Sequence, residues 1–156
     1  MGINIRNAKK KDMKRVHELI MELAKYEKLP EEVDISTNDL INDCFGKNKL
    51  FNCFVAEVNS KIEGMAIVYN RYSTWKGETL HLEDLIVTKN MRNMGIGALL
   101  LDKVILFGKE MGVKRITWEV IDWNKKAIKF YERKGAKLID DWSIIHLNEE
   151  AIKNYH

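Results

Sequence analysis

A short glycine-containing loop between a hydrophobic strand and a helix is the strongest constraint on this chain. It lies within Leu80–Leu100, and the strand part ends in Leu85–Val87, residues that favour an extended, buried backbone. Arg92–Gly97 follows, where a helix must begin. The first helical turn has unpaired N–H groups and partial positive charge, and glycine lets a phosphate approach them. The segment therefore predicts a pyrophosphate site, preceded by two carboxylates at Glu83–Asp84.

Several kinds of phosphate-binding loop share this logic. A Walker loop needs Gly-Lys-Ser/Thr, which does not follow Gly97, and a dinucleotide fingerprint needs a small residue in place of Leu100. Arg-x-x-Gly-x-Gly shortly after a strand instead resembles the loop by which the GNAT superfamily of N-acetyltransferases holds the pyrophosphate of acetyl-CoA. The structural alternative is an ordinary loop with a glycine-rich helix start.

The composition limits the classes of protein to which this chain can belong. A chain of 156 residues with 46% apolar and 31% charged residues predicts one globular domain spanning residues 1–156. The net charge of +3 is too weak to indicate nucleic-acid binding but suits an anionic cofactor. Cys44 and Cys53 form no metal-binding pattern, which predicts no metal and a reduced, cytoplasmic setting. No membrane-length apolar run or signal-peptide pattern is present, so no membrane partner is expected.

Hydrophobic periodicity predicts an α/β chain around one mixed sheet flanked by helices. A crossover helix is required between neighbouring parallel strands, and the helix after the glycine loop fits that role. The predicted strands are 3–6, 51–58, 62–72, 78–88, 115–120 and 142–147, and the predicted helices are 11–26, 36–45, 96–111 and 125–134.

The order of elements resembles the GNAT fold over nearly the whole chain. Five segments resemble the diamine (spermidine/spermine) N-acetyltransferase family, and especially its thialysine-acetylating branch. Two departures matter. The polyamine branch has an acidic residue where Ser73 stands, and the family usually has glycine where Asn93 stands, although Asn tolerates unusual backbone angles. The five segments are Leu23–Glu27, Tyr72–Gly77, Leu82–Asp84, Arg92–Gly97, and Asp122–Asn124 with Phe130–Ala136.

The resemblance implies two catalytic residues. Glu83 would accept the amine proton through water, Asp84 would set the polarity of the substrate site, and Tyr131 would protonate the departing thiolate. The structural alternatives are solvated strand-edge carboxylates for the acidic pair and an aromatic core position for Tyr131. Adjacent residues of a regular strand point to opposite faces, so Glu83 and Asp84 are expected to diverge. His81 should share the face of Glu83, either as a proton relay or as a neutral, hydrogen-bonded histidine.

The resemblance also implies binding residues. For the amine substrate it implies Tyr26, Glu27 and Trp75 besides Glu83 and Asp84. Three of the implied residues also have a structural alternative. Trp75 could be a packing or dimer contact, Asn124 a cap of the following helix, and Lys134 a cation at the C-terminus of that helix. For acetyl-CoA the implied residues are Leu85, Ile86, Val87, Arg92, Asn93, Met94, Gly95, Ile96, Gly97, Ala98, Asn124, Ala127 and Lys134.

We therefore expect acetyl-CoA-dependent N-acetylation of a small primary amine, by direct attack within a ternary complex. The amine would be thialysine-, diamine- or polyamine-like, and the family implies a homodimer. Three alternatives remain open: acetylation of a protein or peptide amine, a non-catalytic acyl-CoA sensor, and a nucleotide-dependent enzyme that uses the same glycines.

Overall fold

The computed structural model describes residues 2–156. Its strands and helices follow the predicted order as far as the fourth helix. The strands are β1 Ile3–Asn7, β2 Asn52–Val58, β3 Lys61–Ser73, β4 Gly77–Val87 and β5 Ile116–Thr117, and the helices are α1 Met13–Tyr26, α2 Thr37–Phe45, α3 Ile96–Met111, α4 Lys125–Arg133 and α5 Glu149–Lys153.

The chain divides into two compact units, Met1–Glu119 and Val120–His156. The first unit contains a five-stranded sheet in the order β1-β2-β3-β4-β5. Strands β1 to β4 pair antiparallel, and β5 pairs parallel to β4. Helix α3 supplies the crossover between β4 and β5, as expected for parallel neighbours. The predicted mixed α/β class is confirmed. Within residues 2–156, no helix is long and apolar enough to cross a membrane.

Alternating residues of β2 show how the sheet of the first unit is covered. Cys53 and Val55 belong to a buried cluster that also contains Leu19 of α1 and Leu40 of α2. Phe54 points to the opposite face, because successive strand residues alternate. There its ring packs edge-on against Phe107 of α3, with centroids 5.3 Å apart. The sheet therefore has α1 and α2 on one face and α3 on the other.

Local signals at helix ends are confirmed. The Ser36 Oγ accepts a hydrogen bond from the Asp39 N–H at 3.1 Å, and the Ser36 N–H donates to the Asp39 carboxylate at 2.7 Å. This reciprocal pair begins α2, as the capping-box pattern predicts. Gly112 ends α3 in the left-handed conformation with φ 72°.

The predicted strand at 142–147 is wrong. These residues are irregular and exposed, and the side chains of Trp142, Ile144, Ile145 and Leu147 lie between 62% and 92% open to solvent. A strand needs a neighbour to receive its backbone hydrogen bonds, and the described second unit, Val120–His156, contains none. Strand β5 is also shorter than the predicted 115–120, for it covers two residues.

Candidate active site

The loop before α3 has the backbone geometry of an anion site. Gly95, the residue before the first helical turn, has φ 82°, and Asn93 has φ 64°. Asparagine is one of the few side chains that adopt this left-handed region, so Asn93 can replace the usual glycine. Gly95 has no side chain to cap the helix. The amides of Ile96, Gly97 and Ala98 therefore face the loop without an acceptor inside the helix.

Gly97 leaves space beside these amides. A Cβ atom at this position would meet only Val87 Cγ2 at 3.7 Å, an ordinary contact. Packing within the protein therefore does not require glycine here. A diphosphate that approaches the amides would require glycine, because a side chain here would keep it at a distance. The loop therefore fits the pyrophosphate of acetyl-CoA.

The Arg92 side chain connects the loop to its neighbours. Its Nε donates to the Val87 carbonyl at 2.9 Å, its Nη2 lies 3.6 Å from a Glu22 carboxylate oxygen, and its guanidinium sits 5.4 Å above the Tyr26 ring. The guanidinium thus ties the loop to β4 and α1, and its role toward acetyl-CoA stays a prediction.

Glu22 of α1 is a part of the site that the sequence pattern did not reveal. Its carboxylate accepts hydrogen bonds from the Thr88 hydroxyl at 2.8 Å and from the Lys89 N–H at 2.7 Å. These bonds fix the start of the loop directly after β4. The only signal in the sequence is its spacing, four residues before Tyr26, which places both side chains on one face of α1.

Strand β4 contains a bulge at the predicted catalytic carboxylate. Ile67 and Val68 are consecutive in β3, but their partners in β4 are Asp84 and Leu82. Glu83 is the extra residue between those partners. A bulge interrupts the alternation of side chains along its strand and redirects the inserted residue.

The expectation that Glu83 and Asp84 diverge is wrong for this reason. His81 pairs with Tyr69 and Asp84 pairs with Ile67, and Tyr69 and Ile67 share a face of β3. Glu83 leans toward the same face, since its Oε2 lies 3.6 Å from the His81 Nε2. The two carboxylates therefore lie on one side of the sheet, and His81 shares the face of Glu83 as expected.

On this side of the sheet, two neighbouring carboxylates affect the pKa of Asp84. Burial raises the pKa of Asp84 to about 7, and the negative charges of Glu83 and Glu27 add to the effect. Burial also raises the pKa of Glu27. Like charges held together out of water favour a bound cation. The structure thus brings three of the predicted substrate residues into one acidic site.

Within residues 2–156, no strand pairs with the edge of β4 beyond the acidic site, and this part is called the open edge. Strand β5 pairs with Leu80 and His81, whereas β4 continues to Val87. The Thr88 N–H donates to the Glu63 carbonyl of β3, and hydrogen-bonded pairs alternate along an antiparallel ladder. By this alternation, the main-chain groups of Leu85 and Val87 face the open edge.

Ile86, between them, has its main chain turned toward β3. A Cβ atom at Gly64 of β3 would lie 2.9 Å from the Ile86 carbonyl oxygen. Among the three residues predicted to pair with the arm of acetyl-CoA, Leu85 and Val87 therefore have outward main-chain groups, and Ile86 does not.

Trp75 lies at the tip of the β3–β4 hairpin with 78% of its surface exposed. Ser73 shapes this turn, because its hydroxyl accepts hydrogen bonds from the N–H groups of Trp75 and Lys76, both at 3.2 Å. The position where the polyamine branch has an acid is thus a turn-forming serine in this chain.

The remaining predicted residues lie in the second unit. Asn124 caps α4, since its Oδ1 accepts from the Ala127 N–H at 3.3 Å. The half-buried Tyr131 has its ring 5.3 Å from that of Phe130, and Lys134 is exposed at the end of α4. The capping alternative for Asn124 is thus confirmed, and the roles of Tyr131 and Lys134 toward acetyl-CoA stay predictions.

Comparisons with known proteins agree with this geometry. Residues 13–136 match the model of the Acetyltransferase (GNAT) family. The chain is 36% identical to a thialysine N-epsilon-acetyltransferase of Sus scrofa, over 97% of this chain and 96% of that protein. It is 31% identical to an L-ornithine N5-acetyltransferase of Arabidopsis thaliana, over 78% of this chain and 51% of that protein.

A solved structure extends the comparison to the fold. An integron cassette protein from the mobile metagenome of V. cholerae superposes with a TM-score of 0.79 at 22% identity, covering 98% of this chain and 96% of that one. The match covers more than half of the chain in the family model and almost all of it in the relative from Sus scrofa. The chain is therefore an N-acetyltransferase that belongs to the GNAT family.

Proposed function

We propose that this enzyme transfers acetyl from acetyl-CoA to a primary amine of a small cationic molecule of the thialysine type. Attack would be direct, within a ternary complex, without an acyl-enzyme. The observation that supports this most is the position of the acidic site, with Glu27, Glu83 and Asp84, beside the open edge of β4 and upstream of the glycine loop.

Acetyl-CoA is the anionic substrate in this proposal. The amides of Ile96, Gly97 and Ala98 bind its pyrophosphate, and the outward N–H and C=O of Leu85 and the outward N–H of Val87 bind its extended arm as an added strand would. The Val87 carbonyl already accepts from Arg92 Nε. The outward N–H of Leu85 is also the nearest main-chain donor to Glu83 along the open edge. It is the candidate to stabilise the oxyanion of the tetrahedral intermediate.

The acidic site prepares the amine. A lysine-type amine has a pKa of about 10.4, so it arrives as a cation and must lose a proton before it can attack. Asp84 and Glu27 attract the cation, and the more exposed Glu83 accepts the proton through water. Binding of the cation stabilises the ionised form of Asp84, so substrate uptake near pH 7 should release a proton from that carboxyl.

The acceptor is proposed to be a small basic molecule and not a peptide. Relatives named for thialysine and L-ornithine support this class. Ser73 supports thialysine-like amines over polyamines, because the turn lacks the carboxylate that a second ammonium would need. We further propose a homodimer in the cytoplasm, as the family resemblance implies.

The test is a thiol-release assay with acetyl-CoA across pH. The acceptors are thialysine, ornithine, putrescine, spermidine and a lysine-containing peptide. We expect the highest kcat/KM with thialysine or ornithine. Turnover of the peptide alone would favour a protein acetyltransferase. Binding of acetyl-CoA without thiol release from any acceptor would favour a sensor.

A further inference from the structure

We infer that His81 is a positioning residue that orients the Glu83 carboxylate for proton transfer, and that Thr117 and Tyr69 hold the His81 ring in place. This inference rests on the proposed function, in which Glu83 accepts the amine proton. It gives Thr117 and Tyr69 a role that the predictions above do not include, and of the two alternatives for His81 it takes the neutral, hydrogen-bonded histidine.

The two ring nitrogens of His81 face Thr117 and Glu83. Its side chain is buried, with 5% of the residue exposed. Its Nδ1 lies 2.7 Å from the Thr117 Oγ1, and its Nε2 lies 3.6 Å from the Glu83 Oε2. The short parallel pairing of β4 with β5 makes His81 and Thr117 direct partners. Strand β5 thereby presents a hydroxyl to the histidine that faces the carboxylate.

Burial keeps the imidazole neutral. It lowers the pKa of His81, so near pH 7 the ring has one N–H and one acceptor nitrogen. We assign the N–H to Nε2, because this tautomer places a donor opposite the Glu83 carboxylate and lets Nδ1 accept from the Thr117 hydroxyl. Closure of the 3.6 Å separation then gives a hydrogen bond to the carboxylate.

Tyr69 of β3 supports His81 from the side. Its ring packs against the imidazole, with centroids 5.2 Å apart. Burial and the negative charge of Glu83 raise the pKa of Tyr69, so the phenol stays protonated beside that carboxylate. The bulge turns the half-exposed Glu83 side chain toward His81.

Charges from several sides act on His81. Glu83 and Glu119 favour its protonated form and Arg71 opposes it, but burial has the largest effect and lowers the pKa of His81. The ring therefore stays a neutral donor beside Glu83. The Glu83 side chain is half exposed, so a fixed neighbour is needed to hold it in one orientation.

The experiment compares kcat and KM for thialysine in His81→Asn, His81→Gln, Thr117→Val, Thr117→Ser and Tyr69→Phe. The Gln amide reaches the place of Nε2, whereas the Asn amide reaches only that of Nδ1. We expect kcat to fall about ten- to a hundredfold in His81→Asn and Thr117→Val, with KM little changed, because the proton acceptor is then poorly oriented. His81→Gln, Thr117→Ser and Tyr69→Phe keep the donor, the hydroxyl and the ring, and should stay near wild type.

The outcomes separate this inference from the function on which it rests. If wild-type enzyme releases no thiol with any amine, the proposed function fails. If wild type is active and kcat does not fall in Thr117→Val, the support does not exist. The support is equally refuted if the Gln and Ser variants behave like Asn and Val. Thermal unfolding and acetyl-CoA binding are measured alongside, and the Thr117 pair decides the test if His81→Asn fails to fold.

Discussion

Glu83 and Asp84 are adjacent in the chain, yet their carboxylates lie on the same side of the sheet. The reason is the bulge that leaves Glu83 unmatched between the pairs Leu82–Val68 and Asp84–Ile67. The one inserted residue thus brings onto the same side of the sheet two carboxylates that a regular strand would point to opposite faces. Burial raises the pKa of Asp84 to about 7, and the charge of Glu83 on the same side adds to this effect.

Replacement of Asp84 by Asn should stabilise the ligand-free protein at alkaline pH. The pKa of Asp84 rises to about 7 in the fold, so the carboxyl favours folding below its unfolded pKa of about 4. That contribution is lost as pH rises through 7. The full displacement corresponds to at most about 4 kcal/mol, and we expect at least about 1 kcal/mol at pH 8.5.

Urea unfolding of Asp84→Asn and wild type at pH 5 and pH 8.5 checks this expectation. The exposed Asp34→Asn is the matched control and should change little at either pH. A variant that gains no more stability at pH 8.5 than at pH 5 would contradict a carboxyl that ionises near neutrality.

Glu83→Gln should lower kcat by about a hundred- to ten-thousand-fold, the range for loss of a positioned general base. Acetyl-CoA affinity should stay within about twofold of wild type, because the side chain lies on the amine side of the proposed reaction. Single-turnover kinetics and calorimetry measure the two effects. Glu78→Gln, on the exposed start of the same strand, is the control. Full activity of Glu83→Gln would remove Glu83 from proton transfer.

Tyr131→Phe should reduce turnover by about ten- to ten-thousand-fold if the phenol protonates the departing thiolate. The aromatic ring and its neighbour Phe130 remain, so folding and acetyl-CoA binding should be nearly unchanged. Steady-state kinetics with calorimetry makes the measurement. Tyr155→Phe removes a hydroxyl from an exposed ring of the same unit and should have no effect. Equal activity of the two variants would assign Tyr131 to packing alone.

Gly97→Ala should separate folding from cofactor binding. Alanine favours a helix over glycine by up to about 1 kcal/mol, and its Cβ meets only Val87 at 3.7 Å, so the melting temperature should hold or rise. The same methyl group lies where the diphosphate approaches the amides, so acetyl-CoA should bind at least about tenfold more weakly. Calorimetric titration beside a thermal melt measures both effects. Unchanged affinity would place the diphosphate elsewhere.

Local chemistry explains what could be predicted from the sequence. The Ser36–Asp39 cap, Gly112 at the end of α3 and the glycine loop before it are encoded by neighbouring residues, and their conformations are confirmed. The bulge at Glu83 depends on the pairing of β4 with β3, and the role of Glu22 depends on the packing of α1 beside the loop. Neither the bulge nor the contacts of Glu22 can be recognised from a single segment of the sequence.

The wrong prediction at 142–147 has the same origin. Trp142, Ile144, Ile145 and Leu147 give that segment the apolar and aromatic composition typical of a strand. Such a composition states only that the side chains should be covered and does not supply the neighbouring strand. The secondary structure of such a segment depends on partners distant in the sequence, whereas a helix with strong caps is determined largely by its own residues.

The two-residue length of β5 has a consequence for the stability of the cofactor-bound enzyme. Past His81, the outward amides of β4 face no strand, so an extended ligand seated there acts as a temporary sixth member of the sheet. Occupancy should then slow solvent exchange of the Leu85 and Val87 amide protons, and the substrate becomes part of the architecture that positions it.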